Sequence, residues 1–269
     1  MKKKWPLYVV SLLCVIPVVL AIIPFVIMVL TSFTQNTDIG LRFNFNEMNV
    51  VNYKALYRNF NFLNSLKNSI IVVSCACFFN CLIASMAGYG FAKKEFFLKE
   101  QIFWIYLITL MVPGQAIIVP LFIIMNKLDL LNTYTALFVP IINAFGVFLT
   151  KQFIEAVPDE LLEAARIDGC GEIRSFFSVI IPLIKPVLIS LTVFTFVTSW
   201  NDFIWPLVTV NNSKMNTLTL SLSLLQGNYS TNYGLLMAGT TVTFLPPFIL
   251  YVILQKQFVE GIALNGLKG

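Results

Sequence analysis

The side chains with chemistry to offer fall in two clusters. One is Trp200-Asn201-Asp202-Phe203, followed by Trp205-Pro206, where Asp202 is the only acidic residue well inside a long apolar run. A carboxylate and an amide beside indole rings supply hydrogen bonds and flat stacking faces, a set that suits a sugar. An ionisable residue at such depth is a functional hypothesis by default. The alternative is that Asp202 and Asn201 hold a helix break or a neighbouring chain. Asn143, just after Pro140, is the other candidate for a polar path through apolar surroundings. The second cluster is the charged stretch EAARIDGCGEIRSFFSVIIPLIKP, residues 163–186.

Several chemistries are excluded at once. The sequence has no histidine, which removes serine–histidine and cysteine–histidine catalysis, and no catalytic cluster replaces them. Five cysteines (Cys14, Cys75, Cys77, Cys81, Cys170) are present. They lie in apolar runs or on the cytoplasmic side, where a disulfide framework is not expected. Cys77 and Cys81 share a helix face, and packing is the simplest use for them. No G-x-x-x-x-G-K-[ST] run occurs, so this chain has no phosphate-binding loop, and any ATP chemistry belongs to a partner. The chain reads as a non-enzyme with no cofactor or metal of its own.

The elements that must position these residues are membrane helices. Apolar residues make up 58% of the chain and charged residues 12%, against roughly half and a quarter in soluble domains. The mean hydropathy is +0.81. Apolar runs near 7–30, 69–91, 102–125, 134–150, 187–208 and 235–254 are each long enough to cross a hydrocarbon core ~30 Å thick. Asp202 then lies about fifteen residues into the fifth run, roughly 22 Å along its helix. The first run exceeds a signal-peptide core and reads as a retained anchor. With the N-terminus inside, twelve of the eighteen Lys and Arg residues fall on cytoplasmic segments. Both termini are therefore expected in the cytoplasm, and the net charge of +5 is a topology signal, not a nucleic-acid surface.

The charged stretch has its own local logic. Pro158 suits a first helical turn, and Asp159 and Glu160 sit at its positive end. Leu161, Leu162 and Ala165 share a face, leaving Glu163, Arg166 and Asp168 for water or a partner. Gly169 comes where the helix should end, Gly171 loosens the chain further, and a second helix follows with Ile173, Phe176, Phe177 and Ile180 as one apolar stripe. Pro182 and Pro186 close it. Helix, glycine corner, helix could lie on the lipid surface, but its balanced charge favours a protein partner.

Glu163-Ala164-Ala165, Gly169, Val179 and Ile181-Pro182 resemble the EAA signature of permease subunits in ATP-binding-cassette importers, E-A-A, three residues, G, nine residues, I-x-L-P. Val179 and Ile181 are apolar replacements for the isoleucine and leucine. Residues 111–140, SWNDFIWPLV (199–208) and QKQFVEGIALNGLKG (255–269) are similar to the carbohydrate branch, in particular its shorter, six-span subunit in maltose-type and multiple-sugar importers. The resemblance implies an all-α, polytopic membrane protein of the type I importer fold, with a cytoplasmic coupling helix pair between spans four and five. Its parts would be an anchor span and outer loop (1–64), a membrane core (65–258) containing the coupling loop (155–182), and a cytoplasmic tail (259–269) reaching the ATPase.

The same resemblance implies a prokaryotic plasma-membrane location and several partners. These are a second, longer permease, an ATPase dimer that binds ATP and Mg, an extracytoplasmic solute-binding protein, and a sugar substrate in a lipid bilayer. Glu163, Ala164, Ala165, Asp168, Gly169 and Pro182 carry over as ATPase-coupling positions, and the outer segment 211–233 would face the binding protein. Maltodextrins, raffinose-type sugars, disaccharides and glycerol-3-phosphate all stay open as solutes. The alternative class is an ion-coupled carrier using Asp202.

Two further expectations concern packing. Ala76, Asn80, Ala84 and Gly88 lie four apart, a spacing that lets helices approach closely, with Asn80 bonding to a neighbour. Pro113-Gly114, Pro120, Pro140 and Pro246-Pro247 should kink or break their helices, and the freed backbone groups must face protein or a watery path.

Overall fold

The computed structural model describes residues 5–35, 48–59, 61–228 and 232–266, with side chains over 15–35, 48–58, 61–225 and 232–255. Among them every regular element is helical. The order begins with α1 (Trp5–Ser32), α2 (Val51–Asn59), α3 (Phe62–Lys93), α4 (Lys99–Ile108), α5 (Ile118–Lys127), α6 (Tyr134–Phe138) and α7 (Ala144–Glu155). The short helices α8 (Asp159–Ile167), α9 (Glu172–Ser175) and α10 (Ile181–Leu183) follow. Then come α11 (Lys185–Asn201), α12 (Ile204–Thr209), α13 (Leu218–Asn228) and α14 (Tyr233–Gly266). Parts of α1, α3 and α14 are long and apolar enough to cross a membrane, and three bent pairs raise the number to as many as six if each pair is one span.

The chain forms two compact units, Met1–Asn64 with Ser221–Pro246, and Ser65–Leu220 with Pro247–Gly269. In the first, the Asn52 amide donates to the carbonyls of Ser32 (2.9 Å) and Thr34 (2.7 Å), which closes the end of α1. Gly234 packs here so closely that a Cβ would lie 2.1 Å from the Thr34 carbonyl oxygen.

The second unit is built on the small-residue face of α3. Ala76, Asn80 and Ala84 are buried. The Asn80 amide donates to Thr195 Oγ1 on α11 at 2.8 Å, and the Thr150 hydroxyl on α7 donates to the Ala84 carbonyl at 2.7 Å. Gly146 on α7 answers this face, since its Cβ would fall 2.9 Å from that of Ala84. Little area is gained from burying apolar groups between helices already in lipid, so close backbone approach and these hydrogen bonds define the contact.

The prolines divide into those that break a helix and those that do not. The chain bends by 98° between 99–111 and 114–127, and by 48° between 134–141 and 144–155. Pro113 and Pro140 sit at or beside these bends. Pro120 lies in the first turn of α5, where N–H groups have no intrahelical acceptor in any case, and breaks nothing. Pro246-Pro247 is expected to kink or break the sixth run, and no break occurs: α14 continues through it to Gly266. No Asp or Asn follows to cap a restarted helix there, and in an apolar setting the flanking backbone bonds have no competitor.

Two other expectations are corrected. The helix of the second run starts at Phe62, ahead of the apolar stretch. Its polar first turns are satisfied by a later segment: the Asn68 amide donates to the carbonyls of Lys214 and Asn216, and Ser69 Oγ accepts from Leu218 N at 2.8 Å. That later segment, read from the sequence as an outer loop facing the binding protein, contains the helix α13 and buries Leu218 and Leu220. In the tail at 259–269 the helix backbone reaches Gly266, while residues 267–269 lie outside the described residues.

Gly88 offers a test of the α3 face. A Cβ there would lie 2.4 Å from Thr150 Oγ1 and 2.9 Å from the Lys151 backbone nitrogen. Gly88→Val should destabilise the protein by about 1–3 kcal/mol, lowering its melting temperature in detergent, whereas Gly90→Ala, with open space around it, should leave that temperature unchanged.

Candidate functional site

Three helix breaks meet around one cavity of about 340 Å³, within the ~300–1,000 Å³ usual for small-molecule clefts. The first break brings Gly114 and Gln115, the second Pro140, Ile141 and Asn143, and the third Thr198 and Asp202. Trp205 and Ile118 form part of the apolar wall. Among the described residues, no Lys or Arg lines it.

At the second and third breaks the restarted helix is capped by the polar residue at the break. Asn143 is extended, and its Oδ1 accepts from Gly146 N at 3.3 Å, capping α7. Asp202 ends α11, and its Oδ1 accepts from Trp205 N at 3.3 Å as α12 begins. Trp205 in turn donates its indole N–H to the Ala136 carbonyl at 2.8 Å, tying α12 to α6. Asp202 therefore holds a helix break, as one of the two sequence readings had it, while also facing the cavity.

The other two residues of that cluster do not line the cavity. Trp200 is buried and stacks on Phe196 with rings 5.5 Å apart, so it packs the helix and offers no ligand face. The Asn201 amide folds back to the Val197 carbonyl at 2.9 Å. A rotation of about 100° per residue turns these sequence neighbours in different directions. Gln115 and Thr198 are the cavity residues that sequence reading missed; the Pro113-Gly114 break was the available signal for Gln115.

The second candidate site is the corner between α8 and α9. Gly169 has φ of +79°. Gly169 N bonds the Arg166 carbonyl at 3.0 Å and Cys170 N bonds the Ala165 carbonyl at 2.9 Å, the paired bonds of a Schellman ending. The spacing of the second alanine and the glycine thus has a local cause. Ala165 and Leu162 are buried, and Glu163, Ala164, Asp168 and Gly169 are exposed. Leu161, expected on the buried face, is exposed. Gly171 has φ of −70° and ψ of 168°, which any residue adopts, so it adds no special freedom.

The second apolar stripe is split. Phe176 and Ile180 are buried with Leu162 against Tyr89, Ile154, Ile184 and Val187, but Ile173 and Phe177 are exposed. A π-helical turn over Phe176–Ile180 rotates the register. Pro182 supplies the cause: it cannot donate, and its ring crowds the carbonyl four residues back, that of Ser178. Pro182 itself is exposed. A 78° bend then separates Glu172–Leu183 from Lys185–Asn201.

Glu172 opens α9 and gathers three donors. Lys94 pairs with its Oε2, the Tyr89 hydroxyl donates to the same atom at 3.0 Å, and Arg166 Nη2 donates to Oε1 at 3.1 Å. Chiefly through Lys94, then Tyr89, with a smaller share from Arg166, its pKa is pulled down to about 2. A depressed carboxylate contributes stability that is complete above its unfolded value near 4.5 and is lost as pH falls through about 2. More than half of the side chain is exposed, so solvent screens much of that contribution.

An all-helical fold with broken, apolar helices around a polar cavity defines a membrane transport subunit, and the comparisons with known proteins agree. The model of binding-protein-dependent transport system inner membrane components matches residues 80–263. The arabinooligosaccharides transport system permease protein AraQ of Halalkalibacterium halodurans is 36% identical over 261 residues, 93% of this chain and 92% of that one. The lactose transport system permease protein LacG of Rhizobium radiobacter is 34% identical over 244 residues, 90% and 89% of the two chains. A chain of a bacterial ABC transporter involved in alginate import superposes with a TM-score of 0.82 at 21% identity, over 96% of this chain and 98% of that chain. The chain belongs to the family of binding-protein-dependent transport system inner membrane components. It is a multi-pass membrane protein.

Asp202→Asn should keep the α12 cap, and Asp202→Leu should lose it, at a cost of about 1 kcal/mol. Thermal unfolding of the two variants in detergent checks this; equal melting temperatures would show that the carboxylate does not hold the break.

Proposed function

We propose that this chain is the permease subunit of an ATP-driven sugar importer. It forms half of a translocation path with a second, longer permease, receives its solute from an extracytoplasmic binding protein, and is driven by a separate ATPase dimer that holds ATP and Mg. The observation that carries the solute class is the lining of the cavity. Gln115, Asn143, Thr198 and Asp202 supply donors and acceptors, and Trp205 supplies an apolar face. A carboxylate with no cation beside it repels a phosphate ester but accepts from hydroxyls, so a neutral sugar fits better than glycerol-3-phosphate. Relatives are named for arabinooligosaccharides and lactose and also for sn-glycerol-3-phosphate, so the preference for a neutral sugar rests on the cavity lining.

In this reading both termini and the loop from α8 to α10 face the cytoplasm of a prokaryotic cell. Glu163, Ala164, Asp168 and Gly169 are offered to the ATPase, while Ala165 and Leu162 seat the helix on the membrane core. Pro182 sets the turn that leads back into the bilayer. Ile167 and Ile173, on either side of the corner, are 87% and 77% exposed, a pairing that favours a protein partner over water.

Two experiments test the reading. Reconstituted with its partners, the protein should take up a labelled arabino-oligosaccharide or lactose with ATP supplied and the proton gradient collapsed; uptake that needs the gradient and ignores ATP would overturn it. A Cβ at Gly169 would have no neighbour within 4 Å, so the main cost of Gly169→Val is the left-handed backbone, at about 1–2 kcal/mol. Insertion and subunit association should be normal while substrate-stimulated ATP hydrolysis and uptake collapse. Normal uptake by a well-expressed Gly169→Val protein would remove the coupling role.

A further inference from the structure

The loop from α8 to α10 is joined covalently to α7 and α11, but its link to α3 is made entirely by side chains. Lys93, the last residue of α3, donates to the Val157 carbonyl at 2.6 Å and to Asp159 Oδ1 at 2.7 Å, at the entry to α8. Lys94 pairs with Glu172, at the entry to α9. Consecutive residues at a helix end diverge by about 100°, which lets neighbouring lysines reach opposite ends of one loop. The Lys93 side chain is only 7% exposed while Asp159 is 74% exposed, so its bond to the Val157 carbonyl is the one sheltered from water. Arg166, at the end of α8, shares Glu172 with Lys94, and this makes α8, the corner and α9 one tied piece.

The middle of the same helix touches a residue that lines the cavity. Asn80 Oδ1 accepts from Asn143 N at 3.4 Å, at the break that carries a cavity residue. Thirteen residues separate Asn80 from Lys93, about 20 Å of helix.

We propose that α3 is the rod that carries displacement of this loop to the cavity, with the Lys93–Lys94 pair as its grip on the loop and Asn80 as its contact with the Asn143 break. The proposal rests on the coupling role of the loop. Lys93 and Lys94 are positioning residues: they touch neither solute nor nucleotide. Burial of Lys93 and the triple pairing of Glu172 favour motion of loop and helix end as one body.

The test uses the assembled transporter in a cysteine-free background carrying Gly114→Cys, a lining position with open space for a side chain, with maleimide labelling of the cavity read with and without ATP. In the parent, ATP should change the labelling rate. In Lys93→Met and Lys94→Met that change, and the solute moved per ATP hydrolysed, should fall by about two- to fivefold, while ATP hydrolysis continues. Lys93→Arg should retain coupling, and Lys94→Glu combined with Glu172→Lys should recover what Lys94→Glu loses. A merely structural role would lower assembly, labelling and hydrolysis in parallel and would leave the ratio unmoved, which overturns the proposal. Unchanged labelling in both methionine variants, or no recovery by the swap, also overturns it. If Gly169→Val uncouples while the lysine variants stay coupled, the grip fails and the loop's role stands; if Gly169→Val transports normally, both fall.

Discussion

A backbone N–H or carbonyl that loses its helical partner inside a bilayer finds no water to replace it, and each such group left alone costs several kcal/mol. The three breaks in the second unit are arranged under this constraint. Asn143 and Asp202 each cap the helix that restarts after their break. Trp205 takes up the Ala136 carbonyl as α12 passes α6. The breaks converge on one cavity because polar backbone can be tolerated there and nowhere on the lipid-facing surface. A path for a polar solute and a place to keep irregular backbone are, physically, the same requirement.

The close seam between α3 and α7 follows from the same absence of water. With lipid on every side, apolar contact gives little preference for one helix partner over another, so shape and hydrogen bonding decide. Ala84, Gly88 and Gly146 remove side-chain bulk, and the Thr150 hydroxyl bonds across the gap so created. Asn80, buried on this seam, spends its donor on α11 and its acceptor on the Asn143 break. One side chain thereby fixes α3 against two other elements.

At the loop the solvent changes and so do the forces. Ala165, Leu162, Phe176 and Ile180 seat the short helices by burial, while Lys93, Lys94, Arg166, Asp159 and Glu172 arrange the exposed side by charge. Gly169 permits the corner between them. The π turn before Pro182 presents Phe177 outward in place of the buried side, which gives the loop more exposed apolar surface than its stripe implied.

Membrane class, the positions of the apolar runs, the small-residue face of α3 and the glycine corner of α8 were all legible in the sequence. Each is local: a run length, a four-residue spacing, a residue that tolerates positive φ. The sequence also marked Asp202 and Asn143 as unusual, since polar groups at such depth need a reason. What it could not decide is which neighbours along the chain share a direction. Trp200 and Asn201 adjoin Asp202 in sequence but point elsewhere around the helix, whereas Gln115, some ninety residues away, meets it at the cavity. Pro246-Pro247 carried the same local signal as Pro113, yet the chain bends by 98° beside Pro113 while α14 continues through Pro246-Pro247. The grip of Lys93 and Lys94 on the loop belongs to tertiary structure for the same reason. Two adjacent lysines after an apolar run read as a topology signal, and only folding brings Val157, Asp159 and Glu172 within their reach.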